Sequence, residues 1–439
     1  MRAVRDSGEA RSSGYDFGTY TVGSCRRWGG EQVADAELIV LPEALRPSWG
    51  EARTLALFPD LVGLDFAAEG DDGTARSTGI FPSQRIEEAI EANWITAQLP
   101  VDPAQVQPAS LDLRLGDTAH RVRASFLPSK RPVLERLREF TTHELDLTRP
   151  AVLERGCVYI VPLMESLQLP HDVWAKANPK SSIGRVDVFT RLITDYGDEF
   201  ERVAEGYHGR LYLEIVPRTF SILVRAGTRM SQIRFVRGTP IPWDKLLEDL
   251  EQHETLVFSE EGAPIAPRIS HGLWISVDLA GEEGSRTVGY RAKPHAPLID
   301  LDANGAYEPA DFWEPIERPR DGQLILNPGD FYILSSCERI RVPPTVAAEM
   351  VGYEPLVGEF RIHYAGFFDP GFGYGHGDVP GTRAVLEVRS HDVPFVLEDH
   401  QRAGRLVYER LLAPPAKLYG AEIGSSYQRQ GVALSKHFK

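Results

Sequence analysis

Leu211-Tyr212-Leu213-Glu214-Ile215-Val216 is an apolar run with one carboxylate inside it, and its centre occurs twice: Leu213-Glu214 returns as Leu386-Glu387. The separation is 173 residues, and it holds on either side of the run. Leu153, Gly156, Tyr159, Glu165 and Pro170 return as Leu326, Gly329, Tyr332, Glu338 and Pro343, and Ile233 and Phe235 are matched by Leu406 and Tyr408. Chance matches drift in spacing, whereas a duplicated unit keeps it. The chain is therefore read as two copies of one domain.

The unit is β-rich. Ser110-Leu111-Asp112-Leu113-Arg114-Leu115-Gly116 alternates strictly and ends in glycine, the pattern of a strand and turn. Val158-Tyr159-Ile160-Val161, the 211–216 run and Ser221-Ile222-Leu223-Val224 follow, punctuated by Gly and Pro, and helical periodicity is scarce between them. Many short strands with turn signals predict a mainly β fold of sandwich or barrel type. Two helices are expected: one over 83–90, capped by Ser83 with Ile86, Ala89 and Ile90 on one face, and one over 243–250. The domains are set at 77–238 and 269–439, joined by a linker with a short helix over 239–268. Residues 1–76 are rich in Arg, Ser, Gly and acidic residues and read as a flexible extension; Leu38-Ile39-Val40-Leu41 could add a strand.

The 439 residues are 42% hydrophobic and 25% charged, which allows a packed core. A net charge of -15 argues against a nucleic-acid polymer as partner, since that needs a basic face. Cys25, Cys157 and Cys337 are far apart and odd in number, so neither a disulfide framework nor a Cys-x-x-Cys metal site is indicated. No apolar run reaches membrane-spanning length and the N-terminus lacks a secretory core. A cytoplasmic setting is expected.

Within the first copy, Lys180-Ser181-Ser182-Ile183-Gly184-Arg185 stands out. Hydroxyls donate and guanidinium forks around phosphate, so the cluster suits polyphosphate oxygens. Taken alone it could be an ordinary turn, because Ser pairs are common there. In the second copy the same offset places Glu354, Pro355 and Gly358 opposite Ser181, Ser182 and Arg185. Fold-determining positions return and the polar cluster does not, which favours a function for it. Glu214 is then the candidate proton carrier. Glu387 is read as facing solvent or paired with an arginine, Arg383 or Arg389 being the candidates.

Four stretches in order resemble the dCTP deaminase branch of the dUTPase-like superfamily: Pro108-Ala109-Ser110-Leu111-Asp112-Leu113-Arg114-Leu115-Gly116; Lys180-Ser181-Ser182-Ile183-Gly184-Arg185; Gly206-Tyr207-His208-Gly209-Arg210-Leu211-Tyr212-Leu213-Glu214; and Tyr419 with Tyr427-Gln428-Arg429-Gln430-Gly431. In the second copy, His363-Tyr364-Ala365-Gly366-Phe367-Phe368-Asp369-Pro370-Gly371-Phe372 looks like the family's hairpin. Lys180 stands where the family has Arg, and the first copy lacks a plain Asp-Pro-Gly, leaving Asp195 as candidate sugar-binding aspartate.

The resemblance implies two tandem dUTPase-like domains of β-clip, distorted jelly-roll form in a double-domain bacterial protein. It implies hydrolytic deamination of dCTP to dUTP and ammonia, with Glu214 as general base. Lys180, Ser181, Ser182 and Arg185 would hold the phosphates, and backbone groups of Leu192, Ile193 and Thr194 would read the cytosine edge. Tyr419, Tyr427 and Gln430 would belong to a closing tail. Mg²⁺ would travel with the triphosphate, and zinc is not expected, since the zinc deaminases need His-x-Glu with Pro-Cys-x-x-Cys. A trimer-based homo-oligomer and inhibition by dTTP are also implied. The alternatives are a dUTP pyrophosphatase, a bifunctional enzyme releasing dUMP, and a non-catalytic nucleotide sensor.

Overall fold

The residues that return at the fixed spacing do the same work twice. Leu153 and Leu326 are fully buried. Gly156 and Gly329 have φ of +75° and +81° with open space around the missing side chain, so the backbone, not crowding, selects glycine. The hydroxyls of Tyr159 and Tyr332 accept the amides of Glu154 (3.1 Å) and Asn327 (2.9 Å). The carboxylates of Glu165 and Glu338 accept the strand amides of Arg114 (2.9 Å) and Ser276 (2.8 Å).

Pairing registers repeat as well. Leu213 faces Val161 and Leu386 faces Leu334; Phe235 faces Ala175 and Tyr408 faces Ala348. A one-residue slip would turn every side chain to the other face, so the match in register carries the match in core. Both repeats belong to one compact unit of the computed structural model, which describes residues 77–240, 244–282, 284–351, 366–375, 377–390, 392–420 and 431–439, with 360–362 as backbone. The expected extension 1–76, with its strand at 38–41, and Trp243 lie outside the described residues.

In the first repeat one sheet runs Gly79–Ile80, Arg229–Arg237, Val173–Pro179, Arg202–Val203, with Leu111–Arg114 also on Arg229–Arg237. The other runs Thr141–Asp146, Thr118–Val122, Val158–Gln168, His208–Pro217, Val188–Thr194. The second repeat has the same two layers. Tyr332–Ile340 and Thr382–Ser390 form the middle of one, and Leu273–Ser276, Arg402–Arg410 and Val346–Val351 form the other. Five short α-helices are present among the described residues. The expected helices are Ser83–Glu91 and Asp244–His253. Pro82, not Ser83, stands at the first cap, and no side chain caps it. Val133–Phe140 is a helix that was not expected from the sequence; it buries Val133 and Leu137.

The repeats share a core. Phe312, Trp313, Phe331, Ile333 and Val385 join the buried cluster of the first repeat. Ile222 also pairs in parallel with Ile299. Lys176 reaches across to the second repeat, its Nζ 2.6 Å from Glu349 and 2.5 Å from Glu409. Asn178 donates to the other oxygen of Glu349 at 2.9 Å.

Candidate active site

The strand Val173–Pro179 delivers the phosphate-type cluster. Beyond Pro179 the chain makes one helical turn, Ser181–Gly184, closed by the amides of Ile183 (2.8 Å) and Gly184 (3.0 Å) on the Lys180 carbonyl. Ser182 and Arg185 are buried, and Ser181 is half-buried. Lys180 Nζ sits 2.5 Å from the buried Asp112, a residue of the early alternating strand. Arg185 donates to the carbonyl of Ala433 at 3.1 Å. Ser435 Oγ lies 2.8 Å from the Ser182 carbonyl and 2.8 Å from His437 Nδ1. Burial first of all pushes His437 down to about 4. The end of the chain is thus stitched to this turn.

The carboxylate beside the turn comes from the second repeat. Glu387 Oε1 is 3.9 Å from Arg185 Nε, and both side chains are buried. Glu387 stands on Thr382–Ser390 opposite Ile333. Burial pushes its carboxyl up to about 7, with the Arg185 cation opposing the shift. Asp369, which opens Asp369-Pro370-Gly371, is also buried; burial pushes it up against the pull of Arg234, and the charges of Asp112 and Lys180 reach it. Arg234 is fully buried and crosses from the first repeat, donating to Asp369 (3.0 Å) and the Ala348 carbonyl (3.1 Å) and stacking 4.0 Å from Phe367.

These contacts change one expectation. Glu387 pairs with neither Arg383 nor Arg389: Arg383 turns to Asp278 and Arg389 to Asp187. The neighbour of Glu387 is the cation of the other repeat.

Glu214 is held differently. Arg191 grips its Oε1 through Nε (2.9 Å) and Nη2 (2.5 Å), and Oε2 is buried with no hydrogen-bond partner among the described residues. The guanidinium lies 3.6 Å from the centre of the Phe200 ring and 4.9 Å from that of Phe189, and donates to Ser125. The neighbouring segment is taken up by the fold of the first repeat. Leu192 N donates to Glu201 at 3.0 Å, and Ile193 packs with Val133 and Leu137 of the hidden helix. Thr194 pairs with Leu211, and Asp195 accepts the Val133 amide at 2.7 Å. Asp195 is half-buried and pushed up by that burial. The structure therefore gathers Lys180, Ser181, Ser182 and Arg185 with Glu387 and Asp369, and sets Glu214 and 192–195 on a face covered by a helix.

Tyr419 lies on the second repeat's hairpin: its amide donates to Pro370 O at 2.8 Å and its ring is 5.5 Å from Phe372. Gly371, at φ +96°, allows this approach; a Cβ there would meet the Tyr419 nitrogen at 2.9 Å. Tyr427, Gln430 and 363–365 lie outside the described residues. Asp369, Asp112 and the 433–437 segment were absent from the sequence-based site. The Asp369-Pro370-Gly371 signature ahead of Glu387 was the signal that could have found the pairing.

One group of metal-ligand type gathers among the described residues, Cys337, Asp399 and His400. The thiol is pushed up to about 12, by burial first, so it is no ready thiolate.

Residues 77–239 match the N-terminal domain model of 2'-deoxycytidine 5'-triphosphate deaminase, and residues 243–438 match its C-terminal domain model. The crystal structure of 2'-deoxycytidine 5'-triphosphate deaminase from Agrobacterium tumefaciens superposes with a TM-score of 0.73 at 51% identity, covering 77% of this chain and 100% of that one. A "dCTP deaminase, dUMP-forming" of Halobacterium salinarum is 36% identical over 112 residues, 25% of this chain and 53% of that protein. A "dCTP deaminase" of Haloarcula marismortui is 31% identical over 140 residues, 31% of this chain and 67% of that protein. The chain thus spans about half the length of the first of these relatives and two thirds of the second. With both domain models matched in order and a mainly β, twice-repeated fold of the dUTPase-like kind, the chain belongs to the dCTP deaminase family in its double-domain form.

Proposed function

We propose that the chain deaminates dCTP hydrolytically, with the phosphates on Lys180, Ser181, Ser182 and Arg185 and with Glu387, not Glu214, as the proton carrier. The observation behind this assignment is the 3.9 Å approach of the buried Glu387 to Arg185. Water adds to C4 of cytosine, a ring nitrogen takes a proton, and the exocyclic amine leaves as ammonia. One carboxyl can take the proton from water and return it to nitrogen. A group near 7 is part ionised at neutral pH and suits both halves of that exchange. Such general acid–base work contributes about 10²–10⁴-fold. Glu214, already gripped by Arg191, is a poorer candidate. The sugar-side carboxylate moves in the same way from Asp195 to Asp369.

Mg²⁺ arrives with the triphosphate in this reading, because hard phosphate oxygens prefer it. No zinc is invoked. The family's trimer-based assembly, inhibition by dTTP and a cytoplasmic nucleotide pool complete the proposal. A second reading, release of dUMP, is favoured by the "dUMP-forming" relatives.

The deciding experiment incubates the full chain with dCTP and Mg²⁺ and follows ammonia, dUTP, dUMP and pyrophosphate. Ammonia with dUTP supports deamination alone; ammonia with dUMP and pyrophosphate supports the bifunctional reading; no product from dCTP points to a pyrophosphatase if added dUTP is cleaved and to a sensor if it is not. E387Q should lose turnover while binding dCTP, and E214Q should keep it. The reverse result would return the proton carrier to Glu214.

A further inference from the structure

Arg185 meets Glu387; two residues on in each repeat, Asp187 meets Arg389, with the same separation in sequence and the charges reversed. Arg389 Nε is 3.2 Å from Asp187 Oδ1, its Nη2 also binds Asp187 Oδ2 and donates to Thr219 at 2.8 Å, and its Nη1 donates to the Gly329 carbonyl at 2.6 Å. Thr219 donates to Asp187 at 2.5 Å. Asp187 is fully buried and Arg389 nearly so. Alternate strand residues share a face, so Arg389 and Glu387 both look toward the Lys180–Arg185 turn.

A second observation is independent of these contacts. Asp187 has φ +55°. That left-handed position follows the phosphate-type turn and is easiest for glycine. A side chain is kept there despite the backbone cost, and strain of this kind gathers at functional sites.

We propose that Asp187 and Arg389 are positioning residues of the active site: their pair holds the second repeat's strand against the phosphate-binding turn and keeps the Arg389 cation away from Glu387. The proposal rests on Glu387 being the proton carrier. The charge that reaches Glu387 is that of Arg185 from the turn; Arg389, two residues along the same strand, is paired with Asp187, and the cross-strand neighbour Ile333 is apolar. Without the Asp187 charge, the Arg389 cation is no longer neutralised by that partner and its field favours the Glu387 carboxylate. Without Arg389, Asp187 competes with Glu387 for Arg185. The two losses therefore act on Glu387 with opposite sign.

The test measures kcat and KM for dCTP against pH in the full chain, for wild type, D187N, R389Q and the double variant. D187N should move the acid limb to lower pH by about half a unit or more, and R389Q to higher pH by a similar amount, since single nearby charges shift carboxyls on that scale. The double variant should return the limb toward wild type. R389K, which keeps the charge without the fork, should leave the limb in place and lower kcat several-fold. D187G relaxes the left-handed position and replaces D187N if that variant does not fold. Limbs that stay put, or move together while only stability falls, would overturn the proposal and leave a purely structural clamp. If E387Q still turns over, the underlying assignment of Glu387 fails instead, and that arm reads independently.

Discussion

Arg185 and Glu387 stand 3.9 Å apart, both buried, one in each repeat. In the proposed reading the guanidinium grips a phosphate while its inner edge faces the carboxyl, so substrate binding and proton transfer would share one cation. The proposed site lies where the two repeats meet.

The pH dependence of turnover follows from this pair. Burial pushes Glu387 up to about 7, and as the proposed proton carrier it must be ionised to take the proton from water. Activity should therefore rise with pH through about 7. R185M removes the cation that holds the carboxyl down, so the limb should move to higher pH and KM for dCTP should rise at least tenfold. Initial rates in a constant-ionic-strength buffer series check both; a limb that stays fixed counts against the coupling.

Lys176 bridges Glu349 and Glu409 with little exposure on any of the three. K176M should cost about 2–3 kcal/mol, because it leaves the buried Glu409 and the half-buried Glu349 without their shared cation. K176M/E349Q/E409Q, which removes all the charge, should recover most of that loss. Denaturant midpoints of the three proteins measure the difference.

Glu201 gives a stability change with pH. Burial pushes its carboxyl from 4.5 up to about 8, with the Leu192 amide opposing. The folded chain then holds a proton that the unfolded chain has released, so this group's contribution falls as pH rises from about 4.5 to about 8. E201Q removes the dependence. Its melting temperature should gain on wild type between pH 5.5 and 8.5, and an unchanged difference would exclude the shift.

Phe438 packs against Phe312 (5.3 Å), Trp313 (5.9 Å) and Tyr307 (6.3 Å) between ring centres. F438A should cost about 3–5 kcal/mol. It should also raise KM for dCTP more than it lowers kcat, because Ala433 and Ser435, just before it, hold Arg185 and Ser182. Steady-state kinetics beside a thermal melt separate the two effects.

Much of this was legible in the sequence. The fixed spacing named the repeats, and the structure gives Leu153, Gly156, Tyr159 and Glu165 and their counterparts the same contacts twice. The strands stand where the alternation placed them, and the Ser-Ser-x-x-Arg turn is where it was read. What stayed hidden was which glutamate serves that turn. Glu214 and Glu387 occupy equivalent positions, and local pattern cannot say which strand end a loop meets. The helix over Val133–Phe140 was missed because two buried residues in eight carry little periodic signal, yet they cover the face below Glu214.

The Lys176–Glu349 contact joins residues that occupy the same position in the two repeats. Equivalent positions touch only near the axis that relates them. In an assembly of identical subunits such a residue meets its own kind, and lysine would face lysine or glutamate would face glutamate. Tandem fusion lifts that restriction: each half can drift on its own, and here the drift ended in opposite charges. Symmetry breaking at the axis now marks the halves as partners, so two first halves or two second halves docked in this way would bring like charges together.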